Sequence, residues 1–91
     1  MNKTRRNTIQ RQANALEELK SQMEDIKSEL ENVHDEEEEA FDAMPDSLQD
    51  SERGQSSQEA QDNLEDAISQ LDDEISNIDD IIDSLNSAIE A

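Results

Sequence analysis

The chain contains no cysteine, so a disulfide frame and thiolate chemistry are both excluded. Its single proline and single glycine mark one pronounced turn and little other punctuation. One phenylalanine, with no tyrosine or tryptophan, rules out an aromatic-rich globular core around a deep pocket. Leu, Ile, Val and Phe together number 17 of 91 residues, so any apolar seam must be thin. No apolar run exceeds two residues, as at Ile81-Ile82, and nothing reads as a membrane span or a secretory h-region. Positive charge is scarce as well: 7 Lys and Arg face 26 Asp and Glu, a net charge of −19.

That charge is unevenly placed. Residues 1–12 hold Lys3, Arg5, Arg6 and Arg11 and no acid, whereas every acid lies beyond them with only Lys20, Lys27 and Arg53 in opposition. A body this acidic repels nucleic acid and anionic membranes and seeks basic protein surfaces. The four basic residues lack interleaved aromatics, so direct nucleic-acid binding is not expected of them.

Against this background the apolar residues are strictly periodic. The last 28 residues are four heptads, LEDAISQ, LDDEISN, IDDIIDS and LNSAIEA. Their first places are Leu64, Leu71, Ile78 and Leu85, and their fifth places are Ile68, Ile75, Ile82 and Ile89. A seven-residue repeat holds an apolar stripe on one side of a helix. A second pattern sets Ile9, Leu16, Met23 and Leu30 in one column and Leu19, Ile26, Val33 and Ala40 in another. Random polar chains do not keep such order, which argues against disorder.

The pattern predicts a single helical domain over residues 8–91 behind a flexible basic leader, 1–7. Its first helix covers 8–43, its turn 44–56, and its second helix 57–90. Pro45 ends the first helix, and Ser56 with Glu59 offers a capping box for the second. The fold class is all-α, an antiparallel two-helix hairpin of coiled-coil type. The first- and fifth-place rows make a stripe wider than one hairpin covers, so self-association into a four-helix bundle, as a homodimer, is expected. Its seam would be Leu16, Leu19, Met23, Ile26, Leu30, Val33, Leu64, Ile68, Leu71, Ile75, Ile78, Ile82, Leu85 and Ile89. Glu37 and Glu74 interrupt these columns and are expected at the wet edge of the stripe, with register control the alternative.

Candidate binding residues follow from the acids. Asp35, Glu36, Glu37, Glu38, Glu39 and Asp42 crowd the C-terminal end of the first helix, where the helix dipole disfavours them. Local stability does not explain the run; solubility or a docking patch does. Asp72, Asp73, Asp79 and Asp80 form a second candidate patch, and Phe41, Met44 and Leu48 an apolar anchor at the tip. Laid side by side, the two helices carry about one carboxylate per 2.3 Å of axis, against about one charge per 1.7 Å in duplex DNA. That density suits a protein that occupies a basic, nucleic-acid-binding surface.

Chemistry has little to work with. No phosphate-binding glycine loop or nucleophile–base motif occurs, so no enzymatic activity, cofactor or small-molecule substrate is expected. Glu31 and His34 match the Glu-x-x-His of di-metal bundles, but they flank the predicted seam and no second His exists, so no metal site is expected. His34 is expected at the surface in an acidic field that favours its protonated form.

The stretch EEEEAFDAMPDSLQDSERGQ (Glu36–Gln55), with the Phe-x-x-Met-Pro-x-x-Leu turn of Phe41, Met44, Pro45 and Leu48 and the heptads that follow, resembles small acidic helical-hairpin proteins of phages, prophages and bacteria. The likeness covers about residues 30–91 and leaves the basic leader out. It implies a bacterial cytoplasm as the setting, and inhibition of host defence or DNA- and RNA-handling enzymes, some of it by imitating DNA. The competing expectation is a structural or adaptor coiled coil that binds helices, or itself, through its apolar seam.

Overall fold

In the computed structural model, which describes residues 1–91, the chain is all-helical: α1 is Lys3–Asp42, α2 is a single turn at Asp46–Gln49, and α3 is Glu52–Glu90. α1 and α3 lie along one another as a helical hairpin measuring 69 × 14 × 13 Å. No helix is long and apolar enough to cross a membrane.

α1 starts five residues earlier than the hydrophobic pattern predicts, and the expected flexible leader is its first turns. Asn2 caps it, its side-chain oxygen accepting from the Arg5 N–H at 2.8 Å. The Arg6 guanidinium then donates across the hairpin to the carbonyl oxygens of Ile89 at 3.2 Å and Ala91 at 3.5 Å. A cation thus meets the negative end of α3, and Arg6 stands in the same seven-residue column as Lys20, Lys27 and His34, with Ala13 between.

The tip also departs from expectation. α1 stops at Asp42, three residues before Pro45, and Pro45 serves as the N-terminal flank of α2. The Gln49 side-chain amide donates to the Phe41 and Met44 carbonyls at 3.1 and 3.2 Å, tying α2 to the end of α1; the Phe41 carbonyl also accepts from the Met44 N–H at 3.0 Å. Ser51, not Ser56, is the N-cap of α3, and its hydroxyl accepts from the Gly54 N–H while also contacting the Leu48 carbonyl. Gly54 therefore lies inside a helix. A Cβ there would fall within the contact radius of the Gln49 and Leu48 carbonyls, so the glycine is what lets α2 fold against α3.

Along the hairpin the inward columns of α1 are Ile9, Leu16, Met23, Leu30 and Glu37, alternating with Arg6, Ala13, Lys20, Lys27, His34 and Phe41. On α3 the inward rows are Leu64, Leu71, Ile78 and Leu85 with Ile68, Ile75, Ile82 and Ile89. The seam is thin: the buried hydrophobic residues are Ala13, Ile78 and Ile82, and no large side chain is wholly enclosed. Leu19, Ile26 and Val33, expected in the seam, remain 45%, 51% and 47% exposed. They and the Lys20 column flank the Leu16 column from opposite sides, and the hairpin turns the Lys20 side inward.

Gly54→Ala is expected to destabilise the fold by about 1–3 kcal/mol through overpacking, although the same change in an open helix stabilises by about 1 kcal/mol. Thermal unfolding followed by circular dichroism checks the sign; a raised Tm would show that α2 does not pack as described.

Candidate functional site

Three basic side chains of the inward column build a ladder. Lys20 Nζ lies 2.7 Å from Asp79 and 3.8 Å from Glu24. Lys27 Nζ lies 2.5 Å from Asp72 and 3.8 Å from Glu31. His34 Nε2 lies 3.0 Å from Glu65, and its Nδ1 lies 3.5 Å from Asp35 and 3.9 Å from Glu38. Each step of seven residues up α1 is answered by seven down α3. Every rung is one cation between a carboxylate four residues on in α1 and a carboxylate of α3. The hydrogen bond to Asp79 raises the Lys20 pKa, the one to Asp72 raises that of Lys27, and the one to Glu65 raises that of His34, each against a smaller desolvation cost.

This arrangement divides the expected acidic patches. Asp72 and Asp79 are engaged in the ladder, whereas Asp73 and Asp80 point away and form no ion pair. The run Asp35–Glu39 cannot make one flat patch, because successive helical side chains point about 100° apart. Asp35, Glu38 and Asp42 share the ladder side, Glu39 turns to the back of α1, and Glu36 goes to the opposite flank. Glu37 turns inward, half-buried, where it accepts a hydrogen bond from the buried Ser57 hydroxyl at 2.7 Å; Gln61 donates to the same Ser57 oxygen at 3.4 Å. Glu37 is thus a seam residue with a partner, while Glu74 stays exposed. At the tip, Phe41 and Met44 are half-buried and only Leu48 stands out, at 40% exposure.

His34 is likewise not a plain surface residue, since its side chain is 15% exposed between the helices. The Glu31 that the sequence set beside it belongs to Lys27 instead. His34, Asp35 and Glu38 can bring one ligand atom each within 4.8 Å of one another, the one grouping here suited to a cation. Sequence periodicity missed the ladder because lysine and histidine register as polar breaks; the opposite-charge spacing Lys20-Lys27-His34 against Glu65-Asp72-Asp79 was the signal that could have revealed it.

The side away from the ladder has other chemistry. Since the Lys20 column faces the Glu65-Asp72-Asp79 column, the far flanks of both helices share the opposite face. There α1 places Leu19, Ile26, Val33 and Ala40, and α3 places Ala60, Ala67, Glu74, Ile81 and Ala88. Ile81 is 49% exposed. A shallow depression of about 370 Å³ opens on this side beside Ala67, Gln70, Leu71, Asp73 and Glu74.

Comparison with protein-family models, with curated proteins and with solved structures finds no match.

The His34 geometry has a consequence for stability. Its pKa is raised above the ordinary 6.5, so its contribution is complete below that value and is lost as pH climbs through the raised pKa. The lysines of the ladder are raised above 10.5 and titrate outside this window. Tm should therefore fall as pH climbs above the ordinary histidine value of 6.5, and His34→Gln should remove most of that slope. An unchanged slope in the variant would assign it to other groups.

Proposed function

We propose that the protein is a protein-binding protein whose two antiparallel helices carry an acidic exterior to a basic partner surface, foremost that of a nucleic-acid-binding enzyme. The supporting observation is the division of the carboxylates. The only cations near the middle of the hairpin, Lys20, Lys27 and His34, are engaged in the ladder. Glu18, Asp25 and Glu39 on the back of α1, and Glu59, Asp66, Asp73 and Asp80 on the back of α3, are exposed and make no ion pair. On α3 they recur at seven-residue intervals, about 10 Å apart at the helical rise; on α1 Asn32 takes one place in the row. Rows of fixed anions on a narrow rod 69 Å long suit a groove selected for phosphate rows. In this reading the acid rows act as a nucleic-acid mimic and inhibit the enzyme by occupancy, in a bacterial cytoplasm, with no cofactor, small-molecule substrate or direct nucleic-acid contact.

A second reading is favoured by the exposed Leu19, Ile26 and Val33: an adaptor coiled coil that meets other helices, or its own copies in a four-helix bundle, through apolar residues.

Salt separates the two. Capture of a nucleic-acid-binding partner should fall at least about tenfold between about 50 mM and about 200 mM salt, because exposed charges are screened. The double variant Asp73→Lys/Asp80→Lys should abolish capture at unchanged helicity. Capture that survives both salt and reversal would reject the acidic-surface reading.

A further inference from the structure

The hairpin leaves one broad face both apolar and poor in charge. Its two outer columns, Leu19, Ile26 and Val33 on α1 and Ala60, Ala67, Ile81 and Ala88 on α3, include one acid, Glu74. The next column of α3 is Asn63, Gln70, Asn77 and Ser84, uncharged throughout, and that of α1 is Ala15, Gln22, Glu29 and Glu36, with its acids confined to the half nearer the tip. In a chain of net charge −19 this segregation is the opposite of what solubility alone would produce.

We propose that this face is occupied by a second copy of the chain. The inference rests on the self-association named in the second reading above and is independent of the acidic-surface reading. Three observations choose this occupant. First, two chains of −19 repel, and they meet at least cost where carboxylates are fewest; a basic partner would be drawn to the acidic sides instead. Second, the face carries both halves of a complementary fit: a bulky row on α1, and on α3 a mostly alanine row with a depression of about 370 Å³ whose apolar wall is Ala67 and Leu71 and whose rim is Gln70, Asp73 and Glu74. A two-fold pairing lets each copy supply what the other lacks. Third, the chain exposes 6488 Å², against about 5,400 Å² for a compact monomer of 10.3 kDa. The excess, about 1,100 Å², exceeds the share of about 800 Å² that one partner buries in a stable complex. Docking would also enclose Leu16, Met23, Leu30 and Leu71, which the lone hairpin leaves half-buried.

Glu74 is the acid within the paired columns and opposes the pairing most directly, since burial desolvates its carboxylate; Asp73 stands at the edge of the same depression.

Sedimentation equilibrium of the full chain tests the proposal, with two variants beside it. The native protein is expected at twice 10.3 kDa. Leu19→Ser/Ile26→Ser/Val33→Ser, which alters only side chains exposed in the hairpin, should weaken the dimer at least about 100-fold. Glu74→Leu should tighten it roughly tenfold, a gain that misfolding cannot imitate. A native chain that stays monomeric up to about 100 µM, a weak affinity for a stable assembly, overturns self-association itself. A native dimer left unchanged by both variants overturns this face alone and moves the contact elsewhere on the hairpin.

Discussion

Three cations held between two rows of carboxylates decide how the helices face one another. Lys20, Lys27 and His34 each touch an acid four residues on in α1 and an acid of α3. Without them Glu24, Glu31 and Glu38 would look across at Asp79, Asp72 and Glu65 with nothing between. Exposed ion pairs contribute little singly. Here their main effect is to remove a repulsion that would otherwise turn the helices. The lysine stems lie along the seam with their charged heads at its edge, as long basic side chains can. The inward column is therefore the cationic one, and its apolar neighbour, Leu19-Ile26-Val33, is left outside.

The same logic accounts for the two ends. A basic start and an acidic finish both oppose the dipole of α1 when that helix is considered alone. In the hairpin the basic start lies beside the C-terminal end of α3, where Arg6 reaches the Ile89 and Ala91 carbonyls. At the tip, Gln49 closes the end of α1 through two carbonyls, and Gly54 allows the single turn of α2 to press on α3. Acids near the tip are relieved piecemeal: Glu37 by the Ser57 hydroxyl, Asp35 and Glu38 by His34.

The result is a rod with chemically distinct sides. The ladder side is partly compensated, with one basic group to two carboxylates at each rung; the backs are acidic and unpaired, and the remaining face is mostly apolar. The seam is thin and encloses no large side chain, so much of the hairpin's apolar surface lies on that last face. Acidic backs and an apolar face can serve together, because pairing through the face leaves the carboxylate rows turned outward.

By itself the sequence determined the helical class, the number of long helices and the place of the turn, because heptad spacing and a lone Pro45 are local signals. It also determined that α3 has an apolar stripe with acids behind it, since Leu64 to Ile89 repeat without ambiguity. Only the tertiary structure decided which column of α1 turns inward, because Leu19 and Lys20 flank Leu16 on opposite sides of the helix and hydrophobicity alone favours the wrong one. Only it decided that Glu37 is partnered, that Asp72 and Asp79 are engaged while Asp73 and Asp80 are free, and that residues 3–7 are helical. Each of those depends on a group contributed by the other helix, and no periodicity within one helix can report what stands opposite.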